Sequence, residues 1–155
     1  MTQRSVVHAT FTVERSYAHP PARVFKAFAD EQAKARWFAG PDGYVMLERK
    51  FDFRVGGEEV AVGKHGPSHG GQVSAFYAVY QDIIPNERIV YAYRMALDDT
   101  PISVSLATIE LRPEGAGTRL TVTEYGVFLD GYEDGGSREH GTGWLMDQLG
   151  KSLET

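Results

Sequence analysis

The chain of 155 residues contains no cysteine. That absence excludes disulfides, thiolate catalysis and cysteine-based zinc sites together. Positive charge is also scarce, with 16 lysines and arginines against 21 acidic residues and a formal net charge of -5. A nucleic-acid-binding module needs a basic surface to neutralise phosphates, so that class is disfavoured, and a membrane-surface role is disfavoured for the same reason. No apolar run approaches the ~20 residues of a membrane-spanning helix. The first ten residues, M-T-Q-R-S-V-V-H-A-T, lack the apolar core of a signal peptide. A cytoplasmic protein without membrane insertion is the expectation. Also missing are a Gly-x-Ser-x-Gly elbow, a His-Glu-x-x-His pair and a phosphate-cradling glycine loop. No cofactor and no metal is therefore expected. Acid-base catalysis needs only one or two placed groups, so an enzyme stays open.

What is present is the composition of an ordinary globular protein. Hydrophobic content of 42% with 24% charged residues predicts one domain over residues 1–155. Residues 11–17 alternate, with Phe11 and Val13 against Thr12 and Glu14, and read as a strand. His19-Pro20-Pro21 stops it, and residues 22–29 follow as a helix with Val24, Phe25 and Phe28 at helical spacing. Asp30 can cap a second short helix over 31–38, with Lys34 and Arg36 turned to water and Trp37-Phe38 at its end.

From Tyr44 the pattern is strand after strand. Residues 44–54 and 58–62 flank Gly56-Gly57, a hairpin turn that needs positive backbone angles. Residues 63–71 form an irregular glycine-rich loop, and strands at 73–84, 88–97, 102–112 and 118–127 follow as consecutive hairpins. The last helix spans 138–153, with Leu145, Leu149 and Leu153 on one stripe and Trp144 and Gln148 on another flank. Gly141, Gly143 and Gly150 each cost about 1 kcal/mol against alanine in a helix interior. Either residues 131–143 are partly loop and the helix starts late, or the missing side chains leave room at a cavity mouth. Runs of one element type indicate α+β: strand, two helices, about six strands, one long helix. A twisted antiparallel sheet of about seven strands curls, and a single helix covers only part of its concave face.

Several segments carry a family likeness: residues 20–28, Trp37-Phe38, residues 51–58 (F-D-F-R-V-G-G-E), 85–91 (P-N-E-R-I-V-Y), 117–124 (G-T-R-L-T-V-T-E) and Gly143-Trp144. The chain resembles the helix-grip proteins of the START-like, SRPBCC superfamily, which includes the birch-pollen allergen. More narrowly it is similar to the group named after the activator of the ninety-kilodalton heat-shock chaperone's ATPase. The resemblance implies a curved sheet in the order β-α-α-β6-α around a long C-terminal helix. Functionally it implies a small-ligand binder, with cyclases and lipid carriers among the superfamily's members. A chaperone partner is implied only by the group's name.

The residues themselves suggest where a ligand would lie. Leu120, Val122 and Glu124 share a strand face, so a carboxyl joins the apolar side that meets the helix. Burial would raise its pKa and suit it to acid-base work or to anchoring a ligand. Ile89, Tyr91, Tyr93 and Met95 make a second wall of aromatic hydroxyls on an apolar surface. Trp37, Phe38, Phe51, Phe53 and Tyr77 extend that wall, and Trp144 and Gln148 face it from the helix. Ordinary core packing explains such a stripe equally well. His65 and His69 have helical ligand spacing, but the glycines and Pro67 between and around them forbid a helix, so a solvated loop guarding the cavity is the better reading. The expected function is binding of a small apolar or amphipathic molecule. The alternatives are a cyclase or hydratase using Glu124 with Tyr91 or Tyr93, and a chaperone ATPase regulator.

Overall fold

The computed structural model describes residues 3–154. In chain order the elements are β1 (Val6–Tyr17), α1 (Pro21–Ala29), α2 (Glu31–Ala35), β2 (Val45–Phe51), β3 (Glu58–Lys64), β4 (Val73–Ile84), β5 (Arg88–Leu97), β6 (Thr100–Glu114), β7 (Gly117–Leu129) and α3 (Gly135–Leu153). The strands of the described residues form one antiparallel sheet of seven, ordered β1-β7-β6-β5-β4-β3-β2. Strands β2 to β7 are the expected meander. β1 closes against β7, pairing Phe11 with Glu124 and Val13 with Val122. This is the helix-grip architecture, α+β.

Turn chemistry sets the strand lengths. Gly56 takes φ +84° in the β2–β3 turn, a conformation glycine reaches without a Cβ clash. Asp98 and Asp99 both adopt positive φ, as a two-residue hairpin turn requires, so β6 begins at Thr100, two residues earlier than expected. β1 also starts earlier than its alternation suggested, because the edge residues Val6 and Val7 are exposed and break no rule by pairing. β2 ends at Phe51, short of Arg54, and β3 runs on to Lys64 because it stays paired to β4. The glycine-rich loop contains one short 3₁₀ turn, Pro67–His69.

Two features depart from the sequence reading. α2 is only five residues long, and Lys34 lies buried beneath it instead of facing water. The Asp30 carboxylate does cap this helix, accepting from the Ala33 N–H at 2.9 Å. α3 begins at Gly135, not late: the Asp134 carboxylate accepts from the Ser137 N–H at 2.7 Å and starts the helix across the glycines.

α3 lies against β1, α1 and the concave sheet face. Met146, Leu149 and Leu153 are buried there beside Val24, Phe28, Leu120 and Val122. Burying a leucine such as Leu149 contributes about 1.5–3 kcal/mol, which offsets the poor helix propensity of the glycines. Two of those glycines allow close approach. A Cβ on Gly143 would stand 3.0 Å from the Arg15 guanidinium, and one on Gly150 would stand 3.1 Å from the Tyr17 ring. β1 then locks to the helix: Arg15 bonds Asp147 at 2.7 Å, and the Tyr17 hydroxyl donates to the Met146 carbonyl at 2.7 Å. No helix of the described residues is long and apolar enough to cross a membrane.

Candidate functional site

Alternation along β5 and β7 turns the expected residues inward. Glu124 is 3% exposed and Tyr93 6%, and both stand on the concave face with Val122 and Ile89. Between this face, α2 and the first half of α3 lies a pocket of about 360 Å³. Its wall is a chain of aromatic rings in edge or tilted contact. Trp37 meets Phe28 at 5.1 Å and Phe38 at 5.7 Å, Phe38 meets Phe76 at 5.0 Å, and Phe76 meets Tyr93 at 5.1 Å. Tyr91 sits 5.7 Å from Tyr93 and completes the row. Such offset and edge contacts contribute about 0.5–1.5 kcal/mol per pair, so the wall holds its shape.

One end of the pocket carries a polar cluster. The Tyr93 hydroxyl donates to Glu124 Oε1 at 2.5 Å and accepts from Arg138 Nη1 at 2.9 Å. Arg138 also grips Glu133 through Nε at 2.6 Å and Nη2 at 2.9 Å, and reaches the Ser103 hydroxyl at 2.8 Å. Arg138 is thus paired with Glu133, and Glu124 is the carboxyl left without a cation of its own. Its second oxygen, Oε2, has one long contact, from the Thr142 hydroxyl at 3.5 Å. Burial raises the Glu124 pKa, and the hydrogen bond from Tyr93 and the charge of Arg138 offset part of the rise. Burial also raises the Tyr93 pKa, reinforced by the Glu124 charge, so the phenol stays protonated.

A second buried cluster lies at the α2 side. Lys34 Nζ bonds Glu59 Oε1 at 2.5 Å, and the Tyr80 hydroxyl donates to the same oxygen at 2.5 Å. Glu59 is fully shielded from solvent. The Lys34 ammonium stands 4.6 Å from the Phe38 ring centre, a cation–π contact that continues the aromatic wall. Burial lowers the Lys34 pKa, while Glu59 opposes that shift.

The mouth is made by Gly40, Pro41, Tyr44, His65, Gly141 and Trp144. The His65 ring packs on Tyr44 at 5.2 Å and its Nε2 bonds the Ser74 hydroxyl at 3.0 Å. A Cβ built on Gly141 meets no atom within 4 Å, so this helix position is open where Gly143, two residues on, is filled by Arg15.

Of the residues singled out from the sequence, the structure brings together Trp37, Tyr91, Tyr93, Glu124 and Trp144 around the pocket. Tyr77, Phe51, Phe53 and Gln148 lie elsewhere. Tyr77 points to the opposite, convex face, where the Arg94 guanidinium stands 4.0 Å from its ring centre. It pairs across with Arg94 and not with Tyr93, which decides its side. Phe51 stacks on Phe53 at 6.0 Å outside the pocket lining, and Gln148 also falls outside it. Sequence reasoning passed over Lys34, Phe76, Arg138 and Thr142. Phe76 was within reach by alternation from Ala78 and Tyr80. Lys34 and Arg138 gave no sign, since Glu59 for the one and Tyr93 and Ser103 for the other are remote in sequence.

A curved sheet gripping one long helix, with a lined hollow between them, defines the helix-grip class of the SRPBCC superfamily. Residues 18–154 match the family described as Activator of Hsp90 ATPase homolog 1-like protein, and the chain belongs to this family. Among solved structures it is similar to the Mll3558 protein from Rhizobium loti, at 49% identity over 96% of this chain and 99% of that one, with a TM-score of 0.85. An uncharacterized protein from Rhizobium leguminosarum is 44% identical over 99% of both chains, with a TM-score of 0.89. An AHSA1-like protein from Aeromonas hydrophila shares the fold at 16% identity, covering 94% of this chain and 92% of that one, with a TM-score of 0.71. No curated protein matches the chain.

Proposed function

We propose that the chain binds a small apolar or amphipathic molecule in the pocket between α3 and the sheet. The observation that carries this reading is Glu124 Oε2, a buried carboxyl oxygen at the end of an aromatic-walled hollow, with only the 3.5 Å contact from Thr142. An apolar wall supplies affinity, and one or two convergent polar atoms supply orientation. A volume of about 360 Å³ suits a molecule of one or two rings or a medium alkyl chain. A neutral Glu124 donates a proton to a ligand oxygen, and an ionised one accepts from a hydroxyl or amine. Membership of the family, whose members are typically ligand-binding, supports the same reading. Native mass spectrometry of the purified protein tests it: a non-covalent adduct that leaves on denaturation is expected. Bare protein that also takes up no apolar compound would end the proposal.

A second reading has its own observation, the 2.5 Å bond that couples Tyr93 to Glu124 inside the pocket. A carboxyl with a raised pKa beside a phenol is a usable acid-base pair for a hydratase or cyclase. Any turnover found should be abolished in Glu124→Gln with the fold intact, and equal activity in that variant would remove this role. A chaperone-regulating role, taken from the family's name, requires co-purification with the chaperone and a raised ATPase rate.

A further inference from the structure

The most anomalous group in the molecule is Arg49. It sits on β2 opposite Ala61 and so shares the concave face with that pocket-lining residue. All three of its guanidinium nitrogens are shut off from solvent, and none has a hydrogen-bond partner. That leaves five N–H donors idle around a permanent charge. The other buried cations are paired, Lys34 with Glu59 and Arg138 with Glu133. At the α2 end of the pocket two cations therefore face one carboxylate, and a positive charge is left over.

Resting on the reading that the pocket holds an apolar or amphipathic ligand, we propose that Arg49 recognises an oxyanion, the carboxylate or phosphate head of that ligand. The planar fork of a guanidinium matches two oxygens of such a head, and the charge is cancelled in the same step. One water molecule would occupy a donor or two and cancel nothing. The Phe51 ring, 5.7 Å from the guanidinium carbon, is an apolar neighbour on the same face. Lys34 and Tyr44 both line the pocket, and both lie close enough for the Arg49 charge to bear on them. Arg49 itself stands behind the pocket lining, so the head group reaches it only if a lining side chain shifts; Tyr44, whose hydroxyl makes only a 3.9 Å contact to the Met46 sulfur, is the lining residue that moves. Glu59 Oε2 is also without a partner, yet the two groups do not bond. The ligand thus lies with its acid at Arg49 and its apolar body along Phe38, Phe76 and Tyr91.

Calorimetric titration with decanoate, decyl phosphate and decanol, on wild type and Arg49→Met, tests this. Wild type should bind one of the two anions at least ~10-fold more tightly than decanol, and the preferred anion names the head group. Arg49→Met should lose that preference, keep its decanol affinity, and melt at the same temperature or higher, because a stranded buried charge has gone. Decanol binding wild type as well as both anions do would overturn the assignment while leaving the pocket reading standing. An unchanged preference in Arg49→Met would overturn it too. So would a melting temperature several degrees lower, which would make Arg49 a structural partner of Glu59. Failure of all three compounds to bind would end both readings.

Discussion

The Lys34–Glu59 pair offers a severe test of how the α2 end of this fold is held. Lys34→Met keeps the length and apolar stem of the side chain and removes only the ammonium. Glu59, fully buried, would then retain one hydrogen bond, from Tyr80, with Oε2 already unpartnered. Removing one member of a buried ion pair costs ~3–5 kcal/mol, because the other charge is stranded. That is a large part of the ~5–15 kcal/mol that holds a domain together. For a chain of this length it corresponds to a fall of roughly 6–20 °C in melting temperature. The double variant Lys34→Met, Glu59→Gln strands no carboxylate, and the amide oxygen still accepts from Tyr80. It should recover about half the loss. Urea unfolding followed by the fluorescence of the buried Trp37 gives both free energies. A loss below ~1 kcal/mol for Lys34→Met, as for a surface lysine, would refute the reasoning.

Three further outcomes are expected. Glu124 has its pKa raised by burial above the ordinary 4.5, so folding takes up a proton between 4.5 and that higher folded value. Its stabilising contribution is complete below 4.5 and lost as pH rises through the folded value. The melting temperature of wild type should therefore fall relative to Glu124→Gln as pH rises across that window, and a constant difference would contradict the burial effect. Leu149→Ala, at a position with no exposure, should cost ~2–5 kcal/mol by equilibrium unfolding; under 1 kcal/mol would mean α3 is not seated on the sheet. Asp134→Ala removes the cap of α3 and should cost ~1 kcal/mol with a loss of helical circular dichroism; an unchanged spectrum and midpoint would show that the cap is dispensable.

Much of the architecture is legible in the sequence because each hairpin carries its own turn chemistry. Pro85-Asn86, Asp98-Asp99 and Gly115 stop and reverse strands that alternate cleanly, and β7 puts Leu120, Val122 and Glu124 inside as read. What the alternation could not decide is parity in a nearly continuous apolar strand. In β4 Phe76 and Tyr77 are adjacent, as are Val79 and Tyr80, so either face reads as buried, and only pairing with β5 sends Tyr77 outward. Buried charges are illegible for a different reason. Arg138 meets Tyr93 and Ser103 only through the tertiary fold, and a helix of five residues has no period to show that Lys34 points inward. The glycines of α3 carried a real signal with two meanings. Gly143 and Gly150 make room for β1, while Gly141 leaves the pocket mouth open.

Gly141 therefore provides the most direct test of the claim that the hollow between α3 and the sheet is a binding site. Phenylalanine there replaces a poor helix former at a position with no atom within 4 Å of the new Cβ, and its ring lies at the mouth. Titration with the neutral fluorophore N-phenylnaphthylamine should show saturable, one-to-one binding to wild type. Gly141→Phe should bind it at least ~10-fold more weakly while melting no lower than wild type. Equal binding by the two proteins would mean that the probe sits somewhere else and that the pocket is not the site.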